Sequence, residues 1–144
     1  MISRPKVLYV DHKNNGSVLF LKAWEQELEV THVMTVLSAI NIMGCKQFDF
    51  IVAEWTPGHR SGLRIIEQAT KLGVPCALYT DNPYSVMNSQ CNVWSKESVC
   101  SIPQMIKSAL FNPNQMIVDS NIMRAEPPLK TKIFNILTKT KQHG

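Results

Sequence analysis

The sequence predicts a doubly wound α/β domain built on a five-stranded parallel sheet. Short apolar runs alternate five times with segments of helical periodicity along the chain. The connections between the runs are short crossovers, which favour parallel strands with helices on both faces of the sheet. The runs are nearly continuous in apolar residues, as expected for strands that are buried on both sides.

The composition fits one soluble globular domain. The chain has 144 residues, of which 44% are hydrophobic and 18% charged, with a net charge of +4. This balance excludes a disordered chain, and no apolar run is long enough to span a bilayer, so we expect a cytoplasmic protein. The cysteines have neither CxxC spacing nor histidines at zinc-ligand spacing, which favours reduced packing residues. They are Cys45, Cys76, Cys91 and Cys100.

The first half of the chain predicts three strands and two helices. Residues 6–11 are β-branched and aromatic, as in a buried strand, and residues 29–35 alternate between apolar and polar types. Apolar side chains recur at three- and four-residue spacing over residues 18–28, which predicts an amphipathic helix. Residues 36–48 have a helical pattern, and Phe50–Glu54 is the third predicted strand.

The second half continues the alternation. Its predicted elements are the helix 63–72, the strand 75–80, a short helix near Pro83, the strand 91–95 and the helix 101–111. Gly73 follows the first of these helices and is expected to cap it, because glycine readily adopts the left-handed conformation that ends a helix.

Residues 112–144 lie beyond this alternation and predict a C-terminal extension that is partly helical. An apolar segment ends at Pro127 and Pro128, after which apolar positions recur at helical spacing. The basic residues of the extension are Arg124, Lys130, Lys132, Lys139 and Lys141. The extension could dock on the body, dimerise or bind an acidic partner, but it contains no dedicated nucleic-acid-binding domain.

The residues that can carry chemistry follow the carboxyl ends of the predicted strands. In a doubly wound sheet, ligands and reactions lie beyond those ends. Polar or charged side chains occupy the positions there: Asp11, His12, Glu54, Thr80, Asp81 and Lys96. We therefore expect these side chains to form one site.

These motifs, in this order, resemble the receiver domain of two-component response regulators, which has a flavodoxin-like (βα)5 fold. The matching residues are Asp11 in YVDH, Glu54 in AEWTPGHRSG, Thr80 in YTDN and Lys96 in WSKE. Gly62 lies eight residues after Glu54, at the spacing of the family's glycine. The resemblance extends over residues 6–111 and divides the chain into a receiver-like domain, 1–111, and the extension, 112–144.

Two departures affect the acceptor and the metal site that the resemblance implies. In the family, an aspartate accepts a phosphoryl group, and acids hold Mg²⁺ beside it. Glu54 stands at the acceptor position and is longer by about one C–C bond, which misaligns in-line attack. His12 replaces the second acid and removes a hard oxygen ligand. We expect a degenerate Mg²⁺ site at Asp11 and Glu54, with metal binding lost or weak and no cofactor.

Three further departures surround the pocket. Asp81 stands where the family has a small residue, and it adds bulk and negative charge at the mouth of the pocket. Glu97 replaces a proline that is usually cis in the family, so we expect a trans peptide bond there. Val93 stands where the family has a coupling aromatic residue, while strand alternation points the neighbouring Trp94 to the opposite face.

The departures together indicate an atypical receiver, or pseudo-receiver. We expect it to act in signal transduction through protein contacts, without aspartyl phosphorylation and without enzymatic activity. The resemblance implies a histidine kinase or a downstream effector as the signalling partner, and a homodimer is an alternative. The candidate partner-binding face comprises Trp55, Tyr84, Val93 and Trp94.

Lys96 is expected to reach inward and form an ion pair with Glu54. The pair could imitate the charge of a phosphorylated acceptor, or it could leave a neutral site that carries no signal. A single carboxylate lacks the three acceptor oxygens of a phosphoryl group, so both interpretations stay open.

Three other functions also stay open. A still-switchable response regulator of a phosphorelay could use Glu54 or Asp11 as an unusual acceptor. A flavodoxin-type binder of a small ligand would need a phosphate-cradling loop after the first strand, where residues 12–17 contain only one glycine. An enzyme would need a nucleophile with a base nearby. Its candidate residues would be Thr80, Lys96 and His12.

Overall fold

Five strands form a single parallel sheet in the computed structural model. The structure describes residues 3–12, 17–55, 61–81, 83 and 91–112. The strands are β1 (Lys6–Val10), β2 (Glu29–Val33), β3 (Phe50–Glu54), β4 (Cys76–Thr80) and β5 (Asn92–Ser95). They are arranged in the order β2-β1-β3-β4-β5, and every neighbouring pair is parallel. The predicted five-stranded parallel sheet is confirmed.

Helices cover both faces of the sheet. They are α1 (Ser17–Trp24), α2 (Val36–Cys45), α3 (Ser61–Leu72) and α4 (Ile102–Phe111), with a 3-10 helix at Lys96–Ser101. Buried residues of α2 and α3 pack in one core cluster, and buried residues of α1 and α4 pack in the other. The fold is therefore doubly wound, as predicted. Most of the predicted helix near Pro83 lies outside the described residues. Residues 113–144 of the predicted extension also lie outside them.

The end of α3 is closed as the sequence predicts. Gly73 has a φ of 72°, in the left-handed region that glycine adopts without strain. Its amide donates to the Thr70 carbonyl, and the Val74 amide donates to the Ala69 carbonyl. These two bonds satisfy carbonyl groups that the helix leaves without a partner at its C-terminal end.

The helix α2 is shorter than the sequence predicts. It ends at Cys45 instead of continuing through residue 48, because Lys46 has an extended backbone with φ −134° and ψ 142°. Ala39 and Met43, four residues apart on one side of the helix, are its buried residues. The remaining predicted residues lead into β3, and Phe48 among them is buried.

The cysteine prediction holds for two of the four residues. Cys76 and Cys91 are buried, whereas Cys45 and Cys100 are exposed, and all four are free thiols. A hydrogen bond with Cys91 and burial raise the pKa of the Cys76 thiol, so this thiol stays protonated in the core. Cys76 and Cys91 are therefore packing residues, and the exposed pair is not.

Candidate functional site

The carboxyl edge of the sheet gathers the charged side chains that the sequence singles out. Glu54 is the last residue of β3, and Asp11 and Lys96 directly follow β1 and β5. The parallel pairings of β1 with β3, of β3 with β4 and of β4 with β5 carry these strand ends to the same side of the molecule. The predicted clustering of acids and a lysine at this edge is present in the structure.

Glu54 contacts a cationic or ionisable group through each of its carboxylate oxygens. The residue is buried, with 8% of its surface exposed. Its Oε1 accepts a hydrogen bond from the Lys96 ammonium at 2.6 Å. Its Oε2 lies 2.8 Å from Nδ1 of His12. The expected ion pair between Glu54 and Lys96 is therefore formed, and His12 adds a second partner on the other side of the carboxylate.

Asp11 is buried and is held by groups that the sequence analysis did not identify. Its Oδ2 accepts a hydrogen bond from the Tyr9 hydroxyl at 2.5 Å. Its backbone carbonyl lies 3.0 Å from Nε2 of His32 on the neighbouring strand β2. Burial, together with the hydrogen bond to Asp11 and the charge of that carboxylate, raises the pKa of the Tyr9 hydroxyl. Tyr9 therefore remains a neutral donor that orients Asp11.

The sequence carries a signal for the Tyr9 contact. Residues two apart in a strand point to the same face, so Tyr9 and Asp11 in YVD lie on one side of the strand. A hydroxyl two residues before a buried acid is a ready donor for it. No comparable local pattern links His32 to Asp11, because that contact depends on the parallel register of β1 with β2.

Asp81 and Thr80 occupy different environments although they are neighbours in the chain. Thr80 is fully buried and pairs in register with Ser95 of β5. The Asp81 side chain is 75% exposed, and its Oδ2 lies 3.8 Å from the Lys96 ammonium. Asp81 therefore places a second negative charge on the solvent side of Lys96.

The residues of the predicted partner-binding face do not share one exposed surface. Trp94 is fully buried and stacks on Phe50, with ring centroids 5.4 Å apart, so its assignment to this face is wrong. Trp94 is inaccessible because strand alternation turns it toward the core between the sheet and α4. Trp55 and Val93 are half-buried. Tyr84 lies outside the described residues.

Gly62 allows α3 to begin close to the end of β3. A Cβ atom at this position would lie 3.1 Å from Cδ2 of Leu78 and 3.1 Å from Cε3 of Trp55. It would also lie 3.4 Å from the backbone oxygen of Glu54. A larger residue at this position would require the side chains of Leu78 and Trp55, beside the strand end that carries Glu54, to shift.

The side chains of Asp11, His12 and Glu54 could together hold a metal ion. Within the described part of the chain, these three offer ligand atoms that all lie within 4.8 Å of one another. Mg²⁺, the ion implied by the family resemblance, prefers an octahedron of oxygen ligands. Here one of the three ligands is an imidazole nitrogen, which does not provide the hard oxygen that Mg²⁺ requires. The residues present therefore do not fit Mg²⁺ well.

The segment from Lys96 to Ser101 forms an element that the sequence analysis did not predict. The 3-10 helix Lys96–Ser101 precedes α4, and the Ser95 hydroxyl accepts a hydrogen bond from the Glu97 amide. Peptide bonds of the described residues are trans, as expected at Glu97. The indole N–H of Trp24 donates to the Val99 carbonyl at 2.8 Å and ties this segment to α1.

Within the described residues, no helix is long and apolar enough to cross a lipid bilayer.

Comparison with known proteins identifies the fold through structure alone. No protein-family model matches the sequence, and no curated protein has a significantly similar sequence. The receiver domain of the Francisella response regulator 1452 superimposes with a TM-score of 0.63 at 16% identity, over 77% of this chain and 100% of that domain. The CheY-like receiver domain from Methylobacillus flagellatus gives 0.63 at 15% identity, over 74% and 98% of the two chains.

A longer regulator matches as well. The RcsB response regulator of Salmonella typhimurium superimposes with a TM-score of 0.65 at 12% identity, over 96% of this chain and 78% of that one. The structural neighbours are thus response regulator receiver domains, and this chain shares their fold. At such identities the likeness establishes the fold and leaves the chemistry to the residues of the site.

Proposed function

We propose that this protein is a receiver-fold signalling module that acts through protein contacts and does not use aspartyl phosphorylation. The observation that carries the proposal is the double engagement of Glu54. One oxygen of its carboxylate is bonded by Lys96 at 2.6 Å, and the other lies 2.8 Å from His12. Because each oxygen already contacts a basic side chain of the chain itself, the carboxylate is a weaker nucleophile toward a phosphoryl donor than a carboxylate without such partners.

The chemistry of phosphoryl transfer supports the same proposal. A receiver depends on an acceptor placed in line with the donor and on a divalent cation that offsets the developing charge. Glu54 carries an additional methylene, and His12 stands where a hard oxygen ligand is needed. The acceptor and the metal site are altered together, so restoring one alone is not expected to restore the reaction.

The module has no reaction of its own in this proposal, and its partner is a protein. A histidine kinase or a downstream effector fits the receiver fold, and a second copy of the chain is the alternative. Trp55 and Val93 stay in the proposed contact surface because part of each side chain is exposed. Trp94 is removed from it because it is fully buried. The cytoplasmic location stays a prediction.

Phosphorylation by a small-molecule donor tests the proposal. The full chain is incubated with acetyl phosphate and Mg²⁺ and examined by intact-protein mass spectrometry. We expect no phosphoryl adduct on the wild-type chain. The matched control is the double variant Glu54→Asp with His12→Asp, which restores both the shorter acceptor and the oxygen ligand. We expect this variant to gain an adduct.

An adduct on the wild-type chain that disappears in Glu54→Gln or Asp11→Asn would overturn the proposal. It would establish the switchable regulator with an unusual acceptor. Beryllofluoride with Mg²⁺ gives an independent check, since a metal-dependent change in the amide NMR spectrum of wild type would point to the same conclusion.

A further inference from the structure

We propose that Asp11, His12 and Glu54 form a binding site for a divalent transition-metal ion of the zinc class, with Nδ1 of His12 as its nitrogen ligand. The inference starts from the poor fit of this cluster to Mg²⁺. It rests on the geometry of the three side chains and does not depend on the proposed signalling function.

Each of the two carboxylates is held by a hydrogen bond to one of its oxygens. Tyr9 holds Oδ2 of Asp11, and Lys96 holds Oε1 of Glu54. The other oxygen of each carboxylate faces His12. Oδ1 of Asp11 lies 4.0 Å from Nδ1 of His12, and Oε2 of Glu54 lies 2.8 Å from the same nitrogen. Carboxylates that bind metals are commonly fixed by hydrogen bonds to their outer oxygen. Tyr9 and Lys96 supply such bonds here.

The distances suit a small tetrahedral ion after minor movements. Zinc binds nitrogen and oxygen at about 2.0–2.1 Å, so two ligands of a tetrahedral site lie about 3.3 Å apart. The distances from Nδ1 of His12 to the two carboxylate oxygens, 2.8 and 4.0 Å, lie on either side of this value. The His12 side chain is 60% exposed and can move, while the buried carboxylates stay in place.

Ligand type and charge select the class of ion. Imidazole nitrogen suits zinc, copper, nickel and cobalt, whereas Mg²⁺ requires oxygen ligands and keeps most of its waters. Asp11 and Glu54 bring two negative charges against the single positive charge of Lys96, and exposed Asp81 lies beyond it. A divalent cation therefore enters a site of net negative charge. Because the His12 side chain is 60% exposed, water can supply a fourth ligand.

Cobalt and zinc titrations test the site on the full, tag-free chain. Co²⁺ in a tetrahedral site absorbs visible light, and zinc that displaces it abolishes the absorption. We expect wild type to show this behaviour and His12→Ala to bind zinc at least about tenfold more weakly, the scale at which even supporting partners of a metal site act. The matched control is His143→Gln, which removes a histidine of the C-terminal extension and should leave zinc affinity unchanged.

A second variant makes the test specific to the nitrogen ligand. His12→Asp supplies oxygen in place of nitrogen, so the ratio of zinc affinity to magnesium affinity, measured by calorimetry, should fall relative to wild type. Equal zinc affinity in wild type and His12→Ala, or an unchanged ratio in His12→Asp, would overturn the proposal. Circular dichroism is used to check that both variants are folded. A negative result leaves the acetyl phosphate experiment untouched, so the two proposals fail separately.

Discussion

The cluster of polar and charged residues at the carboxyl edge has a buried half and an exposed half. The buried half consists of Asp11, Glu54 and Thr80, each less than a tenth exposed. The exposed half consists of His12 and Asp81, whose side chains are 60% and 75% exposed. Lys96 lies between them, since its ammonium contacts Glu54 on the inside and Asp81 on the outside.

The charges in the two halves are stabilised in different ways. A charge in the buried half has lost most of its water, and its stability depends on a specific partner such as Tyr9 or Lys96. A charge in the exposed half stays hydrated, and salt screens its interactions. Substitutions in the buried half should therefore change stability, and substitutions in the exposed half should change what the site binds.

Lys96→Met should have the largest effect on stability. Methionine keeps much of the side-chain volume but removes the ammonium, which leaves one oxygen of buried Glu54 without its 2.6 Å partner. Breaking a buried pair in this way costs about 3 kcal/mol. Equilibrium unfolding in urea at neutral pH measures the change in the free energy of unfolding.

The matched control for this variant is Lys107→Met. Lys107 also pairs with a glutamate, Glu27, at 3.0 Å, but both side chains are about two-fifths exposed. A surface pair of this kind contributes less than about 1 kcal/mol. Equal losses in the two variants would show that burial does not distinguish the two ion pairs.

Tyr9→Phe should have an intermediate effect. The change deletes only the hydroxyl, so the core packing of the ring is kept, and Oδ2 of buried Asp11 loses its donor. Hydrogen bonds to charged groups contribute about 2 kcal/mol, which is the expected loss in the free energy of unfolding at neutral pH. A loss near zero would mean that water replaces the hydroxyl and that Asp11 is less enclosed than its burial indicates.

The same variant has a distinct pH dependence. Because the pKa of Tyr9 is raised in the folded state, the unfolded chain releases this proton above the ordinary tyrosine pKa of about 10 while the folded chain retains it. The unfolded state then binds fewer protons, so the free energy of unfolding of wild type falls as pH rises. Tyr9→Phe lacks this contribution. Its deficit relative to wild type should therefore shrink above about pH 10, and a constant deficit would contradict the assignment.

His12→Ala should have the smallest effect on stability. The His12 side chain is mostly exposed, so its contact with Glu54 is screened and should contribute less than about 1 kcal/mol. The difference between wild type and variant should decrease further when the urea titration is repeated at high salt. A loss in the free energy of unfolding as large as that of Lys96→Met would mean that His12 stabilises the fold as strongly as the buried ion pair does.

The positions of the strand-end residues could be predicted from the sequence, because parallel strands carry their carboxyl ends to one edge. This principle placed Asp11, Glu54 and Lys96 together without coordinates. The helix cap at Gly73 could also be predicted, because it depends only on residues that are close in the chain. Contacts that depend on strand register, such as that of His32 with Asp11, could not be predicted in this way. The contact of Tyr9 with Asp11, two residues apart in one strand, has a local signal, but the donor to a buried acid can also come from elsewhere in the fold.

Trp94 shows why surface assignments are harder than strand assignments. A run such as NVWS predicts a strand, but both faces of a doubly wound sheet are covered, so alternation alone does not tell which residue is accessible. The stack of Trp94 on Phe50 places it inside. The 3-10 helix after β5 was also not predicted from the sequence, and its Val99 carbonyl accepts a hydrogen bond from Trp24 in a distant part of the chain.

The burial of the three tryptophans makes the fluorescence of Trp55 a probe of the site. Trp24 and Trp94 are almost completely enclosed, at 1% and 0% exposure, whereas half-buried Trp55 directly follows Glu54. A water-soluble quencher such as iodide should therefore reach the indole of Trp55 in preference to the other two. Changes in quenching would report events beside Glu54 without any attached dye.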